Sequence, residues 1–237
     1  MLNHLSFLCV GISDRARGPM KLLGDVALDE QALRHRADFF VTQGIDPATV
    51  VTAGLVHGTR IVSVDLEDQG EFIPATDGLI TNTPGVVLSV TVADCAPLFV
   101  VDPVHRAIGL AHAGWRGTAD KIFTALLNTM MTEFATDLSE VFVEIGPFLQ
   151  GHHFEIQEDV AAQFKDIPGA VRVERGIRRL DLGAAFRFEA ERLRVPVSQF
   201  VASDECTFCH PERYFSYRRD RPVQIEAMVA YLGIREE

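Results

Sequence analysis

Short apolar runs alternate with stretches of helical spacing along this chain, and single glycines and prolines punctuate them. Residues 5–12 read as a first strand. Residues 29–43 read as a helix with Leu33, Ala37 and Phe40 on one face and Gly44 as the stop signal. A short run at 61–65 and a long one at 86–94 read as further strands. The runs at 98–101 and 107–111 are joined by turn chemistry, Asp102-Pro103-Val104-His105-Arg106. Thr118 is placed to cap a helix whose Ile122, Phe123, Leu126, Leu127, Met130 and Phe134 form an apolar stripe. A strand at 141–145 ends at Gly146-Pro147. A short helix at 158–164, a strand at 171–174, a helix at 183–194, a turn region at 203–209 and a last strand at 224–232 complete the pattern. No repeat or low-complexity linker interrupts it, so one α/β or α+β unit over residues 1–237 is expected.

Composition narrows the partners. A hydrophobic fraction of 47% supports a large core, and 22 basic against 33 acidic residues leave a net charge of −11. That charge opposes binding to nucleic acid or to an anionic membrane surface, so an anionic substrate must be caught by a local basic spot. Four cysteines in a chain this long do not read as a disulfide framework, and the run at 5–12 is too short to span a bilayer and lacks a basic leader. A cytoplasmic protein is expected.

The candidate chemistry lies where apolar runs end. Cys95 closes the run at 86–94, His112 closes 107–111, and His57 precedes 61–65. A thiolate with two imidazoles is a ligand set for zinc or copper with one position left open. Taken singly, such a cysteine is more often a buried structural residue and such a histidine a satisfied core residue. Asp94, beside Cys95, reads as a group that supports the ligands or touches substrate. The string Gly114-Trp115-Arg116-Gly117-Thr118 passes from strand through a glycine turn into a helix, where backbone N–H groups and the Arg116 guanidinium suit phosphate or carboxylate. Tyr214-Phe215-Ser216-Tyr217-Arg218-Arg219-Asp220 mixes aromatics with two arginines and can stack a planar ring or bind an anion. Cys206-Thr207-Phe208-Cys209-His210 has the spacing of covalent haem attachment, and its CxxC could equally bind zinc or cycle redox states. The haem reading requires an exported chain and is set aside. His105 and the pair His152-His153 read as surface residues, with His153 a possible substrate contact because it follows the strand end at Gly146-Pro147.

Three strings in this order, Val92-Ala93-Asp94-Cys95-Ala96-Pro97, His112-Ala113-Gly114-Trp115-Arg116-Gly117 and Phe215-Ser216-Tyr217-Arg218-Arg219-Asp220, resemble the YfiH family over residues 5–232. Its members are called laccase-domain or polyphenol oxidoreductase proteins and also purine nucleoside phosphorylases. The resemblance implies a layered α/β/β/α sandwich with mixed sheets and a zinc site, with copper as the other metal, held by His57, Cys95 and His112. It implies phosphorolysis of adenosine, inosine and methylthioadenosine, with deamination of adenosine at the same site, in a monomer or homodimer. Cys95, His112, Asp94 and Arg116 are then the catalytic candidates, and Arg15, Arg116, His153 and Arg218 the substrate-binding ones. The chain departs from the family pattern at Leu55, where a glutamine is usual, in the altered string Ser13-Asp14-Arg15-Ala16-Arg17-Gly18, and at Gly151-His152-His153-Phe154-Glu155, where a cysteine is common. Three other readings stand beside this one. They are copper-dependent oxidation of phenols, a cysteine hydrolase with Cys95 as nucleophile and His112 as its base, and a non-catalytic purine-binding module.

Overall fold

Two stacked sheets absorb the long apolar runs. The computed structural model describes residues 2–22 and 26–236. In chain order its elements are β1 (Leu8–Ile12), α1 (Val26–Thr42), β2 (Val50–Gly54), β3 (Ile61–Ser63), β4 (Phe72–Pro74), β5 (Gly78–Thr81), β6 (Val87–Val92), β7 (Ala96–Asp102), β8 (Ala107–Ala113), α2 (Trp115–Ala119), α3 (Ile122–Phe134), β9 (Phe142–Ile145), α4 (Glu158–Gln163), β10 (Val171–Glu174), β11 (Ile177–Leu180), α5 (Leu182–Arg192), β12 (Phe200–Ala202), α6 (Tyr217–Asp220) and β13 (Met228–Ile234).

The first sheet runs β1-β13-β6-β2-β4 and the second β12-β9-β7-β8-β5-β3, while β10 and β11 make a separate hairpin. Both large sheets are mixed. β6 pairs antiparallel with β13 and parallel with β2, and β7 pairs antiparallel with β8 and β9 while β12 runs parallel to β9. Leu88, Val90, Ala230 and Leu232 of the first sheet meet Leu79, Phe99, Ile108 and Leu110 of the second, and this core fills the space between them. On the far side of the first sheet, Phe39 and Phe40 of α1 cover Val50, Val87, Val229 and Tyr231. On the far side of the second, Phe123, Leu126 and Met130 of α3 and Phe186 of α5 cover Leu98, Val100 and Ala111. The layers are therefore α/β/β/α, as expected. β7 is buried on both faces, Phe99 and Val101 pointing one way and Leu98 and Val100 the other, which is why it reads as an unbroken apolar run. Each such fully buried side chain contributes about 1.5–3 kcal/mol. A Cβ at Gly109 would lie 2.9 Å from both Leu126 Cδ1 and Met130 Sδ, so glycine there lets α3 sit close against β8.

Two expectations need correction. On α1 the buried face is Ala32, Arg36, Phe39 and Phe40, and Leu33 is 52% exposed. Helical spacing treats an arginine as solvated, but here the Arg36 guanidinium donates to Met20 O, Thr52 Oγ1 and Ser89 Oγ beneath the helix. Burial still lowers its pKa to about 10. Thr118 caps nothing. It lies inside α2 and donates to Gly114 O at 2.9 Å, while α3 begins anew at Ile122 after Lys121, whose φ is 70°. The expected strands at 86–94 and 98–101 are present as β6 and β7, and they belong to different sheets.

Candidate metal centre

That change of sheet positions the site. β6 ends at Val92, the chain turns at Asp94 with φ of 78°, and β7 begins at Ala96. In the β7–β8 hairpin Pro97 faces His112 and Ala96 faces Ala113, which puts Cys95 beside Gly114 and the side chain of His112. His57 comes from the loop between β2 and β3 and also has a left-handed backbone, φ 62°. Asp94 and His57, two of the non-glycine residues with this uncommon conformation, are pinned by hydrogen bonds, as is usual where strain serves a site.

The pins come from two aspartates. Asp77 is fully buried at the start of β5. Its carboxylate accepts from the N–H groups of Val56 (3.2 Å), His57 (2.8 Å) and Gly58 (2.7 Å), and from His112 Nδ1 at 3.1 Å. One carboxylate therefore shapes the His57 turn and orients His112 with Nε2 toward Cys95. Burial would raise the pKa of Asp77, but these donors hold it below its ordinary value. Asp94 works on the other side. It accepts from Thr207 Oγ1 and from the backbone N–H of Arg218, each at 2.6 Å, and so fixes the start of α6 against the turn before β7.

One ligand atom from each of His57, Cys95 and His112 lies within 4.8 Å of the others, and the two imidazole rings meet edge to face at 4.8 Å. A tetrahedral zinc ion needs about 3.3–3.8 Å between such atoms, so a small contraction suffices. Burial would raise the Cys95 thiol, but His112 and then His57 hold it down to about 6. Burial would likewise lower His112, yet the Cys95 thiolate and Asp77 push it up to about 9. The negative surroundings that favour a proton on His112 favour a metal cation in its place, and the thiolate is the form a metal binds. A Cβ at Gly114 would lie 2.9 Å from Cys95 Sγ and 3.2 Å from His57 Cδ2, so the residue after β8 leaves the ligand space open only as glycine. These residues fit a zinc or copper ion.

The three side chains sit in a cleft of about 400 Å³. Trp115, Phe154 and Tyr217 supply aromatic faces, Leu55, Leu149 and Leu182 aliphatic ones, and Lys21, Arg116 and Arg218 the cations. Arg116 is exposed and lies 4.2 Å over the Trp115 ring, and no carboxylate pairs with it among the described residues. Lys21 is desolvated, which lowers its pKa, although Cys95 and Asp77 draw it the other way. Arg218 is committed in part: its Nη1 donates to Glu155 O at 2.9 Å and its guanidinium stands 5.4 Å from the Phe154 ring.

Of the residues singled out from sequence, His57, Cys95, His112, Asp94, Arg116 and Arg218 thus share one cleft. Two stand elsewhere. Arg15 pairs with Asp220 at 3.0 Å and lies 5.1 Å over the Phe215 ring, and His153 stacks on Phe208 with ring centroids 3.9 Å apart. Neither lines the cleft. Sequence reasoning misses Asp77 and Lys21, which the fold brings to the site. Asp77 precedes an apolar run within Thr76-Asp77-Gly78, and its position ahead of a buried strand is the only signal it gives.

The model of the family described as multi-copper polyphenol oxidoreductase laccase matches residues 11–234. A Geobacillus stearothermophilus protein named purine nucleoside phosphorylase YlmD is 34% identical over 195 residues, which are 77% of this chain and 71% of that protein. Its crystal structure superposes with a TM-score of 0.91 over 98% of this chain and 93% of that one, at 29% identity. A protein from an unknown prokaryotic organism, named adenosine deaminase RL5, is 30% identical over 212 residues, 83% of this chain and 79% of its own length. The crystal structure of the Bacillus licheniformis protein YfiH gives a TM-score of 0.90 at 25% identity, covering 99% of this chain and 94% of that one. With the Cys/His/His cleft in the same fold, the chain belongs to the laccase-like YfiH family of multi-copper polyphenol oxidoreductase type.

Proposed function

We propose that the protein is a zinc-dependent purine nucleoside phosphorylase acting on adenosine, inosine and methylthioadenosine, with deamination of adenosine as a second reaction in the same cleft. The observation that carries this reading is the pairing of the His57, Cys95 and His112 ligand set with an uncommitted guanidinium, Arg116, in one cleft with aromatic walls. The names of the relatives support the reaction class.

In phosphorolysis a phosphate oxygen attacks the ribose carbon bearing the base, the carbon–nitrogen bond breaks, and the purine leaves with its electron pair. Positive charge develops on the ribose and negative charge on the base, so catalysis consists mainly of holding phosphate in line and stabilising both charges. Arg116, steadied on Trp115, binds the phosphate. Lys21 adds a second cation at the cleft wall. Tyr217, 56% exposed and at the start of α6, offers a face on which a purine ring stacks. Asp94, with one oxygen on Thr207 and the other on the Arg218 N–H, positions α6 and hence that face. Zinc, when bound, supplies Lewis acidity and lowers the pKa of water, which serves the hydrolytic deamination.

The experiment is elemental analysis of the purified protein together with chromatography of the three nucleosides incubated with and without phosphate. Zinc with phosphate-dependent release of base is the expected outcome, and Cys95→Ala is expected to lose both. Copper in place of zinc, or release of base independent of phosphate, refutes the proposal. A second reading takes the Cys95 sulfur and the His112 ring, whose ligand atoms lie within 4.8 Å of each other, as the nucleophile and base of a cysteine hydrolase. Metal-free protein inactivated by iodoacetamide at Cys95 is its signature.

A further inference from the structure

A second group of metal-ligating side chains stands outside the cleft, where the loop after β9 meets the Cys206-to-Cys209 turn. One ligand atom from each of His152, His153 and Cys209 lies within 4.8 Å of the others. His152 Nε2 and Cys209 Sγ are 3.2 Å apart, close to the edge of a zinc coordination tetrahedron, about 3.3–3.8 Å. The two imidazole rings are 4.7 Å apart, and His153 is held flat against Phe208. The backbones that carry them are already tied together. Thr207 N donates to Phe148 O at 3.2 Å, Gln150 Nε2 to Ser203 O at 3.0 Å, and Gln150 N to the sulfur of Cys206 at 3.4 Å. His152 and Cys209 are exposed and His153 is partly so, which leaves a coordination position facing solvent.

We propose that His152, His153 and Cys209 bind a second zinc ion, with water completing the coordination, and that this ion clamps one flank of the cleft. A thiolate with two imidazoles is a borderline-soft set that suits zinc over magnesium or calcium. The clamp reaches the cleft by two short routes. Phe154, next to His153, is a cleft wall, and Thr207, inside the Cys206-to-Cys209 turn, donates to Asp94. Arg218 adds a third tie through Glu155 O. The claim is independent of the phosphorylase reading, since it concerns residues that do not line the cleft.

Equilibrium dialysis against zinc followed by elemental analysis tests it. The wild type is expected to hold a second equivalent, His152→Ala and Cys209→Ser one fewer than wild type, and Cys95→Ser to retain the equivalent that His152→Ala removes. Cobalt(II) gives an independent readout. A thiolate-to-cobalt charge-transfer band persists in Cys95→Ser and vanishes in the Cys95→Ser/Cys209→Ser double variant. His152 and Cys209 lie on the surface, so their single variants test the claim in the intact protein even where Cys95→Ser folds poorly. Unchanged zinc content in His152→Ala and Cys209→Ser overturns the proposal. So does a thiol titration showing Cys206 and Cys209 joined in a disulfide in the protein as purified.

Discussion

Asp77 is the residue on which the cleft's ligand geometry most depends, and Asp77→Asn tests that directly. In the native site Oδ1 takes His57 N–H and His112 Nδ1, and Oδ2 takes Val56 N–H and Gly58 N–H. Asparagine offers one oxygen and one NH2, so one of these four interactions fails and one reverses in the first orientation, and two fail in the second. With the NH2 in place of Oδ1, it faces His57 N–H and forces His112 to accept at Nδ1, which puts the proton on Nε2, the nitrogen the metal requires. With the NH2 in place of Oδ2, Val56 and Gly58 lose their acceptor and the His57 turn loosens. At about 1–3 kcal/mol for a donor left unpaired, the metal-free variant in its less costly orientation is expected to lose about 1–3 kcal/mol of stability. Zinc affinity should fall by about 10- to 100-fold, as when the supporting partner of a ligating histidine is removed. Urea unfolding of metal-free protein gives the first quantity and competition with a chromophoric zinc chelator the second. A variant that binds zinc within about twofold of the wild type, against that expected loss, refutes the role assigned to Asp77.

Other perturbations follow from the same geometry. Gly114→Ala places a Cβ 2.9 Å from Cys95 Sγ, so elemental analysis should find the cleft zinc lost while overpacking costs about 1–3 kcal/mol; full retention of that zinc counts against the crowding argument. Arg116→Ala removes a charged contact of about 1.5–3 kcal/mol, so the KM for phosphate should rise about 10- to 100-fold and that for nucleoside much less; an unchanged phosphate dependence removes Arg116 from its role. Asp102 is buried at the β7–β8 turn, where burial would raise its pKa but the His105 backbone N–H and the His105 ring hold it below the ordinary carboxylate value. A lowered folded-state pKa contributes stability that is present above the unfolded pKa, about 3.9, and lost as pH falls through the folded value. Asparagine can keep both backbone N–H bonds to Oδ1, from Val104 and His105, without the charge, so Asp102→Asn should lose less stability than wild type between about pH 6 and about pH 3; parallel melting curves sink the assignment.

Which parts of this fold are legible in the sequence follows from the range of the forces involved. β7 and β8 are plain because two-sided burial demands an apolar residue at nearly every position, and the Asp102-Pro103 turn between them uses chemistry local to the turn. β10 and β11 are only half legible, because Arg172, Arg178 and Arg179 leave their hairpin without a continuous apolar face. The face of α1 is misread for a different reason. Arg36 is buried only because Thr52 and Ser89, on β2 and β6, bring hydroxyls beneath it, and no periodicity in residues 29–43 contains that information.

The cleft divides in the same way. His57, Cys95 and His112 can be found because their donor atoms are scarce and each stands near the end of an apolar run, where the chain leaves the core. Their separation along the chain is nonetheless a poor guide to how they meet. Cys95 reaches His112 because the chain switches sheets between β6 and β7, and the β7–β8 register then sets Ala96 against Ala113. Asp77 escapes notice because an aspartate before a strand is ordinarily a solvated turn residue. Its importance arises only when β5 pairs with β8 and delivers a buried carboxylate to both the His57 turn and His112. The ligands of such a site are thus set by chemistry that a sequence displays, whereas the groups that aim them are set by strand pairing. For this reason the residues that discriminate most sharply between a working centre and a vestigial one are Asp77 and Gly114, which bind no metal themselves.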